Sequence, residues 1–247
     1  MLGATFNGFP GTLLGPSGGL LWHWRAVTGR RRSAATRRAV AQWLDNWRPP
    51  CTELIVVGPS AGWMLPGEFL QRFRTLIAFD LDPSARWLFA MRHGTRLRRH
   101  GVQWCWNRQD FTANLQQTLH AHPNAAVLFC NVLGQLSLER DDHSQVLAAI
   151  PGQLGAHHWA SIHDVYSGHV DLSRLPLRPV FTLTRSLIPD DLRRLGCSGT
   201  WHDHGTSGLF AHGVCRTFLP WMITATRLHW LEAGAVAPNT TASAGRP

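Results

Sequence analysis

The sequence predicts an α/β domain built on a doubly wound, mostly parallel sheet, and three observations predict it. Leu54-Ile55-Val56-Val57 is a short run rich in β-branched residues that stops at the turn residues Gly58-Pro59. Thr75-Leu76-Ile77-Ala78-Phe79 is a second such run and closes on Asp80-Leu81-Asp82-Pro83. Ala125 to Cys130 is nearly continuous in apolar residues, as a central strand covered on both faces of a parallel sheet must be. The segment between the first two runs is long enough for a crossover helix, so Glu53 to Ala85 reads as a βαβ unit.

Taken in order, residues 1 to 20 are rich in Gly, Pro and Ser and read as an extended arm. Leu20 to Trp47 follows as a helical segment, with Ala39, Val40, Trp43, Leu44 and Trp47 at the spacing of one apolar face and Pro49-Pro50 as its stop. Gly58-Pro59-Ser60-Ala61-Gly62 then crosses from strand to helix, and its two glycines allow backbone to come close to a ligand. An earlier echo, Gly15-Pro16-Ser17-Gly18-Gly19, has no βαβ pattern around it and reads as coincidence or as a loop near the pocket. Asp80 ends the second strand, where a carboxylate is placed to accept hydrogen bonds from vicinal ribose hydroxyls.

This stretch resembles the first two motifs of the class I S-adenosylmethionine-dependent methyltransferases, and the resemblance implies a Rossmann-like fold. The family carries an acid two places before its first glycine and then G-x-G-x-G. Here Val56 holds the acidic position and Ser60 replaces the middle glycine. Phe79-Asp80-Leu81-Asp82-Pro83 follows the family's second motif more closely. The resemblance implies S-adenosylmethionine as cofactor, held by Gly58, Ser60, Gly62 and Asp80. It also implies that the helical segment before the first strand covers the pocket, although an ordinary packing helix fits the same pattern.

Ser84 to His100 reads as the next helix, with Trp87, Leu88, Met91 and Leu97 inward and its arginines outward. Val102 to Trp106 is a third strand. Asp110-Phe111 behind it matches the family's acid and apolar residue for the adenine ring, while Asp110 equally suits a helix N-cap. The strand ending at Cys130 delivers Asn131 to the crevice beyond the carboxyl ends of the strands, beside the transferable methyl group. Its amide suits an acceptor or the cofactor amino group, and it suits equally the closing of a turn. The Asn-Pro-Pro-aromatic motif of adenine N-methylation is absent, since the residues after Asn131 are Val132-Leu133-Gly134. Ala160 to Ile162 forms a fifth strand leading to His163-Asp164, a candidate base pair for an acceptor that must lose a proton.

Pro189 to Leu195 is a short helix stopped by Gly196, and Thr200 to His204 is extended. Cys215 to Ala225 and Thr226 to Ala233 read as closing strands, the antiparallel hairpin that separates methyltransferases from nicotinamide-binding sheets. Trp201-His202-Asp203-His204 places two imidazoles at i and i+2 of a strand, a spacing that can ligate zinc. With 14 histidines in the chain such a pair arises readily by chance, so the reading is outward-facing histidines and no metal.

Composition bounds the rest. Every one of the 24 basic residues is arginine, which excludes a lysine Schiff base, a Walker-type lysine and a kinase-type ATP lysine. One tyrosine against 12 tryptophans indicates a bacterial-type composition with codon bias toward Gly, Ala, Arg and Trp. The 5 scattered cysteines form no C-x-x-C pair, so a reducing cytoplasm is the default. No apolar run is long enough to cross a bilayer, and no membrane partner is expected. The net charge of +9 would act on an anionic partner at the clusters Arg30-Arg31-Arg32, Arg37-Arg38 and Arg96 to Arg99, which read as a solvated surface ahead of a nucleic-acid face.

The expected organisation is an arm and helical lid over 1–50, a Rossmann-like methyltransferase-type domain over 51–233, and a disordered tail over 234–247. The expected function is methyl transfer from S-adenosylmethionine to a small-molecule acceptor of unknown identity. A non-catalytic nucleoside-binding protein is the alternative, and a nicotinamide-dependent oxidoreductase ranks behind both.

Overall fold

A computed structural model describes residues 19–136, 141–170, 180–197 and 199–238. The strands are β1 (Glu53–Val57), β2 (Thr75–Phe79), β3 (Gln103–Asn107), β4 (Ala126–Cys130), β5 (Trp159–His169), β6 (Phe181–Leu183), β7 (Trp201–Asp203), β8 (Arg216–Met222) and β9 (Arg227–Val236). They form one sheet of order β3-β2-β1-β4-β5-β9-β8-β6, with β7 paired to β5 off this path. The pairs from β3 through β5 are parallel, and those of β5 with β9, β9 with β8 and β8 with β6 are antiparallel. The chain winds outward from β1 toward β3 and then crosses back to β4. The strand order therefore reverses between β1 and β4, the kind of switch point beyond whose carboxyl ends open α/β sheets bind ligands.

Alternation along each strand divides the core into two layers. Leu54 and Val56 of β1 face one side with Leu76 and Leu128, covered by Val40, Leu44, Phe69 and Leu97. Ile55 and Val57 face the other with Ile77 and Phe129, covered by Phe111, Leu115, Leu119, Leu147 and Ile150. Each such side chain fully removed from water contributes roughly 1.5–3 kcal/mol, so burying both faces fixes the register of the central strands.

The predicted N-terminal helical segment is two helices, α1 (Gly19–Thr28) and α2 (Ala34–Asn46). Gly29 and the adjacent arginines separate them, because a run of exposed like charges offers no face to bury. Val40 and Leu44 of α2 are fully buried, and Thr36 donates from its hydroxyl to the Pro220 carbonyl at 2.7 Å, tying α2 to β8.

After α3 (Gly67–Leu70), the helix expected over 84–100 is α4 (Ala85–Phe89) and α5 (Thr95–Arg99), joined by a π turn at Ala90–Gly94. The π turn corrects the inward face. Ala85, Phe89, His93 and Leu97 are buried, whereas Trp87 and Met91 are each 64% exposed. A wider turn holds a strict four-residue repeat against the sheet, where an unbroken 3.6-residue helix would have rotated away. The opposite face carries α6 (Leu115–Ala121) and α7 (His143–Gln153), and α8 (Pro189–Arg194) sits near the far end of the sheet.

At the C-terminus β9 continues to Val236, past the expected end of the domain at 233, with Ala235 and Val236 opposite Ala160 and Trp159. The rest of the expected disordered tail, 239–247, and the expected arm over 1–18 lie outside the described residues. The tryptophans next to the arginines are mostly packing groups: Trp22 meets Trp221 edge-on at 5.7 Å, and Trp104 and Trp106 lean on Phe89. Among the described residues no helix is long and apolar enough to cross a membrane.

Candidate functional site

The loop after β1 is held in left-handed backbone at three positions: Gly58 (φ 65°), Ser60 (φ 52°) and Gly62 (φ 67°). The serine is the costly one, because a side chain at positive φ crowds its own carbonyl. Its N–H donates to Asp80 Oδ2 at 2.7 Å, while the Asp82 N–H donates to Asp80 Oδ1 at 2.9 Å. Each Asp80 oxygen thus receives one backbone donor and retains acceptor capacity for one more. Burial pushes the Asp80 carboxyl up to about 6, the Asp82 charge adding to the rise and the two N–H donors opposing it. Ser60 Oγ is buried at the same loop with no hydrogen-bond partner among the described residues.

The glycines serve the protein before any ligand. A Cβ on Gly58 would lie 2.8 Å from Val132 Cβ, and one on Gly62 would lie 2.6 Å from His93 Nε2. The loop is clamped between the end of β4 and the π turn, so the glycines are required by packing where the sequence suggested approach to a ligand. His93, unremarked in the sequence, lies under Gly62 with Nε2 3.3 Å from its carbonyl oxygen, and burial pulls its pKa down to about 4.

A second missed element is a clasp on the turn after β2. Asp82 Oδ2 accepts the Gly19 N–H at 2.7 Å and lies 3.0 Å from His23 Nε2, while Trp63 Nε1–H donates to His23 Nδ1 at 2.9 Å. An indole only donates, so His23 Nδ1 accepts and Nε2 carries the proton given to Asp82. Burial alone would raise Asp82, but its bonds to His23, Ser84 and the Gly19 N–H hold it well below the usual carboxylate range. The clasp seats α1 on the turn that follows Asp80.

Asp110 accepts from both the Thr112 N–H and the Thr112 hydroxyl, at 2.9 and 2.6 Å, so it caps the short turn Thr112–Asn114 that leads into α6. Phe111 is a correction. It is 2% exposed, wedged between Phe79 and Phe129 at 5.0 and 5.8 Å, and presents no face to an adenine ring.

At the end of β4, Asn131 stands at φ 56°. Its Nδ2 donates to Asp164 Oδ2 at 3.2 Å and its Oδ1 accepts the Asp164 N–H at 3.0 Å. Asn131 and Asp164 therefore meet, whereas the sequence paired Asn131 with His163 at the strand ends. His163 does not join them, and its assignment as a base is corrected. It is fully buried, with Nδ1 2.8 Å from Ser161 Oγ and its ring against Phe210. Burial lowers its pKa to about 3, so it stays neutral, enclosed and out of reach of an acceptor. Adjacent strand residues point to opposite faces, so Asp164 meets Asn131 while His163 turns to Ser161 and Phe210.

The paired histidines also depart from expectation. His202 is exposed, but His204 is 3% exposed, with Nδ1 2.9 Å from the Gly134 carbonyl and Nε2 3.1 Å from Ser167 Oγ. The chain leaves β7 after Asp203, which turns His204 inward.

No family model and no curated protein matches the chain. Among solved structures, the chain is similar to magnesium protoporphyrin IX methyltransferase (ChlM) from Synechocystis PCC 6803 with bound SAM. The identity is 12% over 90% of this chain and 87% of that one, with a TM-score of 0.40. It is likewise similar to the N-methyltransferase NodS from Bradyrhizobium japonicum WM9, at 13% identity over 85% and 98% of the two chains with a TM-score of 0.43. A putative Zn-dependent alcohol dehydrogenase from Rhodobacter sphaeroides matches at 15% identity over 57% and 55%, with a TM-score of 0.36.

Proposed function

We propose that this chain is an S-adenosylmethionine-dependent methyltransferase acting on a small-molecule acceptor. The observation that carries the reading is Asp80 at the end of β2, bound through one oxygen to the strained Ser60 N–H and through the other to the Asp82 N–H. This carboxylate keeps two acceptor positions for a ribose diol, and the partnerless Ser60 Oγ beside it supplies a further polar group. The residues present therefore fit the nucleoside end of the cofactor. The antiparallel β9 and β8 beyond β5 favour this class over nicotinamide-dependent oxidation.

The cofactor, when bound, supplies an electrophilic methyl group on a sulfonium. The chain's part is to bind the nucleoside at Asp80 and the Gly58–Gly62 loop, and to set the acceptor in line from the side of Asn131 and Asp164. Asp164, not His163, is the proposed acid–base group beside Asn131. The 5 free cysteines fit a reducing, cytoplasmic setting. One observation favours the second reading, a nucleoside-binding protein without turnover: Val56, where the family carries an acid, is 2% exposed in the core and offers nothing to the methionine end.

Calorimetric titration with S-adenosylhomocysteine, S-adenosylmethionine and NAD decides the ligand class. Binding of both adenosyl ligands but not NAD is expected, and failure of both to bind overturns the proposal. Transfer of labelled methyl to any member of an acceptor panel then separates enzyme from binding protein.

A further inference from the structure

β4 pairs with β5 as far as Ile162, and β7 takes the same edge of β5 from Tyr166 onward. The step between them is bridged by Asn131 and by the His204 N–H, which donates to the Val165 carbonyl at 3.0 Å. Three ligating side chains converge at this step. Asp164, His204 and His229 each offer one ligand atom, and these atoms lie within 4.8 Å of one another.

We propose that Asp164, His204 and His229 bind one divalent transition-metal ion of the zinc class. Two imidazoles and one carboxylate are the donor set such ions favour, and three protein donors leave a position open for water. Asp164 is 4% exposed, yet its Oδ1 has no hydrogen-bond partner among the described residues. The same holds for His229 Nδ1, which stands 3.1 Å away without the alignment of a hydrogen bond. A buried carboxylate oxygen and a buried imidazole nitrogen left facing each other are what a shared cation would satisfy.

The supporting contacts are of the kind that orient metal ligands. A carbonyl only accepts, so His204 Nδ1 carries the proton it gives Gly134, and Nε2 keeps the lone pair. Ser167 Oγ, 3.1 Å from that nitrogen, is a hydroxyl that can rotate aside. The second oxygen of Asp164 is held by Asn131 Nδ2, which fixes the carboxylate plane. His229 Nδ1 already faces Asp164 Oδ1 at 3.1 Å, with its ring packed between Trp221 and His204. The site does not rest on the methyl-transfer reading, because binding is measured with the metal alone.

The full chain, stripped with chelator, is titrated with Zn2+ by calorimetry and with Co2+ by visible absorption, with Mg2+ as the oxygen-preferring control. One Zn2+ per chain is expected, with an intense cobalt d–d band and no competition from Mg2+. In His229→Gln the affinity should fall by more than ~100-fold, the upper range for losing only a supporting contact. His202→Ala should bind as the wild type does. Absence of saturable Zn2+ binding, unchanged affinity in His229→Gln, or equal loss in His202→Ala overturns the proposal. Should His229→Gln not fold, the wild-type cobalt spectrum decides: a weak band of hydrated, six-coordinate character overturns the site.

Discussion

Asn131 and Asp164 hold each other through two hydrogen bonds of opposite direction, Nδ2–H to Oδ2 at 3.2 Å and backbone N–H to Oδ1 at 3.0 Å. The asparagine side chain thereby takes over from the β4 backbone, continuing the ladder along β5 after the main chain has turned away at φ 56°. Asparagine is suited to both tasks, since it tolerates left-handed backbone and offers a donor and an acceptor on one short side chain. This pair joins the end of β4 to β5.

Asn131→Ala should destabilise the fold by about 1–3 kcal/mol, because it strands the buried Asp164 N–H and leaves a β-carbon at positive φ without compensation. Asn131→Gly should recover only the backbone part. Urea denaturation reads both, and a change under about 0.5 kcal/mol in Asn131→Ala would show that the bridge contributes nothing net.

The affinity for S-adenosylhomocysteine should depend on pH through Asp80. Its carboxyl stands at about 6, and ribose hydroxyls donate best to the ionised form, so binding should strengthen as pH rises through about 6 and then level. Asp80→Asn should flatten the profile and weaken binding by roughly 1.5–3 kcal/mol, the range for hydrogen bonds to a charged group. A pH-dependent profile that persists in Asp80→Asn sinks the assignment.

Glu232 and His163 should set opposite pH slopes of stability from adjoining positions in the core. Burial raises Glu232 to about 7, only partly offset by Arg216, whose Nε lies 3.3 Å from its Oε1. The folded state then keeps a proton that the unfolded chain loses above its ordinary 4.5, so stability falls as pH rises from there to about 7. For His163 the folded value of about 3 lies below the ordinary 6.5, so stability is lost as pH falls through that interval. Melting temperatures should show Glu232→Gln without the first slope and His163→Leu without the second. Arg216→Ala, which strands Glu232, should cost about 3–5 kcal/mol where the carboxylate is ionised. A methyl-transfer pH profile altered in His163→Leu beyond the stability change would restore it as a base.

Releasing the α1 clasp should be visible as proteolysis. Asp82→Ala removes the acceptor for both the Gly19 N–H and His23, so trypsin should cut at Arg25 faster than in the wild type. Trp63→Phe keeps an aromatic ring beneath Arg92 but removes the N–H bonded to His23, and should give an intermediate rate. Equal rates in all three proteins would mean that other contacts hold α1.

The central strands were legible because short apolar runs bounded by glycine, proline and acids have few other solutions in a chain of this length. The place of Asp80 at the end of β2 was legible for the same reason. Phe111 and His163 were misread because an apolar ring or an imidazole looks the same in sequence whether it faces a crevice or a core. That choice depends on which face of the strand or turn is already covered, here by Phe79 and Phe129 for one and by Phe210 for the other. The π turn escaped notice because its cause, a four-residue repeat at Ala85, Phe89, His93 and Leu97, competes with a better 3.6-residue pattern through Trp87 and Met91.

By itself the sequence determined the parallel core, the reversal of strand direction near the C-terminus, and the glycine loop facing an acidic strand end. These follow from local periodicity and from backbone freedom, which each residue carries wherever it is placed. Only the tertiary structure decided that His23 closes on Asp82, that Asn131 braces Asp164, and that His204 and His229 meet that same aspartate. These pairings join residues far apart in the chain, across strands that become neighbours only when the sheet assembles. Nothing in local spacing encodes which of 14 histidines will be turned inward when it does.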